Sequence, residues 1–146
     1  MRGRFTKLAG LTVVIALASL LLAASTGEAG GGIALTMTVQ VDRTPDDEGD
    51  QVCEPFKDRI KVKKKKPLDI CYEVANTSGV SLTRHDLTDS ERGVILDDFT
   101  YTLSHGASAF IIESVKARKA TYRGHWVAAN SSRIEQATDR VEVEIK

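Results

Sequence analysis

The stretch "IALTMTVQV", residues 33 to 41, alternates without a break: Ile33, Leu35, Met37, Val39 and Val41 fall on one side and Thr36, Thr38 and Gln40 on the other. A period of two is the signature of a half-buried strand, and a strand with one apolar face needs a second layer to cover it. The same pattern returns in "LDICYEV", where Leu68, Ile70, Tyr72 and Val74 oppose Asp69, Cys71 and Glu73, and again in "DRVEVEIK", where Val141, Val143 and Ile145 alternate with charged residues. In "VSLTRHDLTD" the apolar positions Val80, Leu82 and Leu87 cannot share one unbroken face, which predicts a bulge near Arg84 and His85. "VIL", "FTYTL", "ASAFIIESVKA" and "HWVAA" read as further strands, with Trp126 available to the core. No amphipathic helix competes after residue 30. Seven to nine short strands punctuated by turns predict an all-β sandwich or barrel.

Ahead of these strands, Arg2, Arg4 and Lys7 precede an acid-free apolar run from Leu8 to Ala24 and then the small-residue segment "STGEAGGG". That order is the order of a secretory signal peptide, cleaved after Ser25 or after Ala29. We therefore divide the chain into a signal peptide, 1–29, and one domain, 30–146, exported to the cell surface or beyond. Left uncleaved, the run would anchor the protein in a membrane.

Cleavage after Ala29 removes three basic residues and Glu28 from a chain with 20 Lys plus Arg and 20 Asp plus Glu, leaving 17 against 19, a net charge of −2. Nothing in that balance favours nucleic acid. The basic run "KVKKKKP", Lys61 to Pro67, can attract a polyanion or an anionic cell surface. The plainer expectation is a solvated edge strand and turn, since lysines discourage edge-to-edge strand pairing. The acidic "RTPDDEGD" lacks the alternating ligand spacing of a calcium loop and reads as solvated. No metal and no cofactor is expected.

"CYEVANTSGVSLTRHDLTDSERGVIL", "FTYTLSHGASAF" and "HWVA", in that order and spacing, resemble the immunoglobulin-like conserved repeat of bacterial surface and secreted proteins, the class labelled domain of unknown function 11 and its relatives. The resemblance spans Ile33 to Lys146. It implies an immunoglobulin-like β-sandwich in an extracellular setting, and it implies no ligand and no catalytic chemistry. Members with a cysteine ahead of the "CY" strand match the positions of Cys53 and Cys71. His105 replaces the usual proline of the turn, "YRGHW" replaces a more usual strand entry, and "KKKKP" fills a turn of different composition.

Enzymatic signals are weak. His85, His105 and His125 stand too far apart in sequence for a local metal pair, no serine sits in a strand-turn-helix elbow, and Asp97 and Asp98 should diverge across a strand. Tyr72 and Trp126 are expected in the core, leaving Tyr101 and Tyr122 as candidates for stacking on a sugar. Asn76 and Asn130 open glycosylation triplets, "NTS" and "NSS". Two cysteines in an exported chain favour a disulfide between Cys53 and Cys71, on the outside of the sandwich because Cys71 opposes the apolar face. The expectation is a non-catalytic structural or adhesive module that binds a protein or glycan partner at the cell surface, or its own kind. The alternative is a carbohydrate-binding or enzyme-accessory module.

Overall fold

The computed structural model describes residues 12–14, 32–42, 53 and 57–146. The cleavage points and the acidic segment 43–50 lie outside the described residues. Among the described residues nine strands form two sheets: β1 (Thr12–Val14), β2 (Ile33–Val41), β3 (Arg59–Val62), β4 (Pro67–Asn76), β5 (Leu82–Asp89), β6 (Gly93–Leu103), β7 (Ser108–Lys116), β8 (Ala120–Ala129) and β9 (Ile134–Ile145). One sheet runs β1-β7-β4-β2 and the other β3-β9-β8-β5-β6, and the only parallel pair among them is β3 with β9. This is an immunoglobulin-like β-sandwich. The three residues of β1 fall within the stretch read as a signal peptide and pair antiparallel with β7, Thr12 opposite Ile112 and Val14 opposite Phe110.

The core lies where the period-two residues of both sheets meet. Leu68, Ile70, Tyr72 and Val74 of β4 are fully buried, facing Leu82, Leu87, Tyr122, Trp126, Val141 and Val143 of the second sheet. Burying each such side chain contributes roughly 1.5–3 kcal/mol, which explains why alternation dominates the sequence. Edge strand β2 is tied across the sandwich as well: its Met37 amide donates to the Asp139 carboxylate of β9 at 2.7 Å.

The β5–β6 register slips between Leu82 and Arg84, between His85 and Leu87 and between Leu87 and Thr88, each time with the extra residue on β6. Along β5 the buried parity changes once, between Leu82 and His85, so His85 faces inward while Arg84 stays exposed. Opposite, "VIL" and "FTYTL" belong to one strand, β6, in which Asp98 takes a left-handed φ of 47° as the extra residue. The Asp98 amide donates to the Asp86 carboxylate at 2.7 Å, a local bond that steadies this conformation. Val80, read as a strand residue, lies ahead of β5 and is exposed.

The outer face of the β4 sheet departs from expectation. Alternation predicts a polar, solvated surface there, yet Thr38, Asp69, Cys71 and Ile112 are each under a tenth exposed. Cys71 is nonetheless outside the inter-sheet core, flanked in register by Thr38 on β2 and Ile112 on β7. It is bonded to Cys53, with the two Cα atoms 5.6 Å apart.

Candidate functional site

The aromatic residues and the histidine of "TRHDL" meet in the core. Trp126 Nε1–H donates to His85 Nδ1 at 3.2 Å, which leaves His85 Nε2–H to donate to the Tyr101 carbonyl at 2.9 Å. The Trp126 and His85 rings stand edge to face, 6.1 Å apart. His85 is 2% exposed, and burial holds it below its ordinary value of 6.5, so both ring nitrogens keep one fixed role in the neutral form. This is a structural relay. It has no mouth through which a substrate could reach it, and Trp126 is itself 3% exposed.

A second polar set closes one edge of the sandwich. The buried Tyr72 hydroxyl donates to Asp89 Oδ2 at 3.0 Å, while Asp89 Oδ1 accepts the backbone amides of Glu91 and Arg92 at 2.8 and 3.1 Å. Asp89 thus caps the turn after β5, and the turn carries Arg92 over the sheet edge. There Arg92 places Nη2 and Nε on one oxygen of Glu113, at 2.9 and 3.3 Å. Glu113 is paired in register with the inward-facing Ile70, so it is a charge on the inward side of β7, met there by Arg92. The Glu113 hydrogen bond raises Arg92 above its usual value; burial first, and then the Asp89 charge, raises the Tyr72 hydroxyl. Nothing in the sequence pointed to Asp89, Arg92 or Glu113, because their partners lie 17 and 21 positions away. The one local trace is an Asp at a strand end before "SERG", an Asx-type turn signal.

Against this geometry the tyrosine platform fails. Tyr122 is 1% exposed, because its place on β8 has the same parity as Trp126 and Gly124, so its ring cannot stack on a sugar. Tyr101 is partly buried and packs against the core, with its ring 6.2 Å from His85. Tyr72 is fully buried. Asn76 is also corrected: it is fully buried, its Nδ2 donates to the carbonyls of Val80 and Leu103 at 2.8 Å each, and its Oδ1 accepts from the Ser78 amide and hydroxyl. Both amide hydrogens are engaged, so the folded protein cannot be glycosylated there. Asn130 repeats the motif, with Nδ2 on the Ser81 carbonyl at 2.9 Å and Oδ1 accepting from Ser132.

These two asparagines gather one end of the sandwich. Arg133 reaches the Ser78 carbonyl, and His105 Nδ1 accepts the Gly79 amide at 3.2 Å, so the loops after β4, β6 and β8 are cross-linked to one another. At the other end the connections are basic. The turn Lys63–Lys66 lies against the β7–β8 loop through Lys65 N–H to the Ala117 carbonyl and Ala117 N–H to the Lys66 carbonyl, both 2.8 Å. His125 meets Gln136 on an outer face, far in role from His85 and His105. Among the described residues no three metal-binding side chains converge, and no serine is hydrogen-bonded to a histidine.

No family model matches the chain, and no curated protein does. Among solved structures it is similar to the CARDB domain of PF1109 from Pyrococcus furiosus in solution, at 14% identity and TM-score 0.43, covering 78% of this chain and 97% of that one. It is similar also to the crystal structure of that CARDB domain in complex with di-metal ions, at 13% identity and TM-score 0.42, covering 79% and 96%.

Proposed function

We propose that this chain is a non-catalytic exported module of the immunoglobulin-like conserved-repeat kind, presenting a rigid sandwich at or beyond the cell surface to a protein or glycan partner. The observation that carries this reading is where the reactive side chains go. Every buried polar side-chain atom among the described residues has a hydrogen-bond partner, and His85, Trp126, Tyr72, Asp89 and Glu113 all spend their polar groups on one another or on backbone. A catalytic site keeps such groups poised toward an open space. The Cys53–Cys71 bond supports an oxidising compartment, where disulfides persist. The sugar-stacking alternative has lost Tyr122 as its platform.

The test is fractionation of cells producing the full chain, with thiol labelling of each fraction before and after reduction. The proposal expects the protein outside the cytoplasm, shortened at its N-terminus, and unlabelled until reduced. Recovery in the cytoplasm with both thiols free would sink it.

A further inference from the structure

The lysine run carries an inference that the protection of a sheet edge does not absorb. Edge strand β3 ends at Val62, so only Lys61 of the run lies on it; Lys63, Lys64, Lys65 and Lys66 lie past the strand, in a turn with no edge to protect. The fold then adds to them. The paired backbone bonds between Lys65, Lys66 and Ala117 set this turn beside the β7–β8 loop, which brings in Lys116, Arg118 and Lys119, all exposed. The Lys146 amide bonds to the Val62 carbonyl at 3.1 Å, so the exposed Lys146 joins the same end.

At this end Asp42 stands beside the turn, its amide bonded to the Pro67 carbonyl at 3.2 Å, Arg118 is paired with Glu91, and Arg92 with Glu113, but among the described residues none of Lys63, Lys64, Lys65, Lys66, Lys116 or Lys119 has a carboxylate partner within ion-pair distance. Lys65 has a φ of 66°, a left-handed conformation that glycine or asparagine adopts more easily. The chain places a cation there against its backbone preference. At the opposite end Asn76, Asn130 and Arg133 spend their polar groups on the carbonyls of neighbouring loops.

We propose that this end is a docking surface for a linear anionic polymer bearing repeated phosphate or sulfate groups. Flexible ammonium groups on two adjacent loops act as point charges that follow such a chain without fixed geometry. A bilayer is the weaker fit. Of the exposed large apolar residues among those described, Val80 and Ile134 are at the opposite end, and Val94 is on β6, the edge strand farthest across the sheet from β3, so none of these three stands beside the lysine turn to enter a membrane. The proposal deepens the surface-module reading and rests on it, but its test uses purified protein and does not depend on export.

The purified protein is passed over immobilised heparin and over immobilised poly(glycerol phosphate) at rising salt. Retention on at least one polymer at low ionic strength is expected, weakening about tenfold or more as screening shortens the reach of the lysines. Retention on one alone identifies whether sulfate or phosphate is read. K64E/K119E should lower affinity about tenfold with an unchanged thermal midpoint, whereas R84E/R133E, the same charge change at the far end, should leave affinity within about twofold. Absence of retention on both polymers, equal loss in the two double variants, or capture by phosphatidylglycerol vesicles with neither polymer bound would overturn the assignment. A cytoplasmic location with polymer binding intact would defeat the export reading and leave the anion surface standing.

Discussion

Gly124 on β8 is the position where adding one carbon tests the packing between the sheets. Its backbone amide lies 3.1 Å from Met37 Sδ, and a Cβ there would stand 2.8 Å from that sulfur, 3.2 Å from Tyr72 Cδ1 and 3.3 Å from Leu35 Cδ2. Two effects compete in Gly124→Ala. Restricting the unfolded chain favours the variant by about 0.4–1 kcal/mol, and overpacking a filled core opposes it by about 1–3 kcal/mol. Met37 is flexible, but it is 2% exposed and hemmed by Leu35 and by the Tyr72 ring, whose hydroxyl is held on Asp89. The clash therefore wins, and the net cost is about 1–2 kcal/mol. Urea unfolding followed by Trp126 fluorescence measures it. Met37→Val withdraws the sulfur, so in that background Gly124→Ala should be neutral or stabilising, a coupling of about 1 kcal/mol or more. Stabilisation by Gly124→Ala alone, or strict additivity of the two changes, would refute the close approach.

Reduction of Cys53–Cys71, or Cys71→Ser, should cost roughly 3 kcal/mol in the chain-entropy model and lower the thermal midpoint without abolishing the fold; an unchanged midpoint would show that the bond constrains nothing. His85 is held below its unfolded value of 6.5, so the stability from its neutral form is complete above that pH and declines, by up to about 1.4 kcal/mol per pH unit, as pH falls from 6.5 toward the folded value. Burial raises Asp69 and Glu73, whose effect has the opposite sign in the acid range, so the comparison is with His85→Gln, which should flatten the decline. Asn76→Ala should destabilise by about 2 kcal/mol or more, because it leaves the buried Leu103 carbonyl, and with it the Val80 carbonyl, without a donor; denaturant midpoints within error of the parent would show that solvent replaces those bonds.

Much of the fold was legible because the strands obey one rule. Where the alternation is unbroken, as in "IALTMTVQV" and "DRVEVEIK", the inter-sheet core takes Ile33, Leu35, Met37, Val39, Val141 and Val143 from the alternating positions, and the parity that put Cys71 opposite Tyr72 also put the disulfide outside that core. The irregularity near Arg84 and His85 was legible for the same reason, as a failure of parity between Leu82 and Leu87, although the register shifts put the extra residues on β6. What the sequence did not reveal depends on pairs far apart in the chain. Tyr122 sits in "TYRGHW", where too few apolar residues repeat to show which face is inward; only pairing with Val141 across the sheet settles it. Asn76 reads as a glycosylation triplet, and the carbonyl 27 residues away that consumes its amide cannot be seen locally.

The polar core also explains why the three evenly spaced histidines share no role. The change of buried parity between Leu82 and His85 turns His85 inward, and the antiparallel register that sets Leu87 opposite Trp126 brings the indole N–H within reach of its ring. Without that change, strict alternation from Leu82 would have buried Arg84, and an unpaired guanidinium would have met the indole instead. The local cost of a broken ladder is thus offset by exchanging a charge for a neutral ring that both donates and accepts. His105 and His125 lie outside that exchange, one bonded to a loop amide and the other to Gln136 on an outer face. Equal spacing in sequence therefore has no structural counterpart, since two of the three are placed by a turn and by the outward parity of a strand, and only His85 by a change of parity.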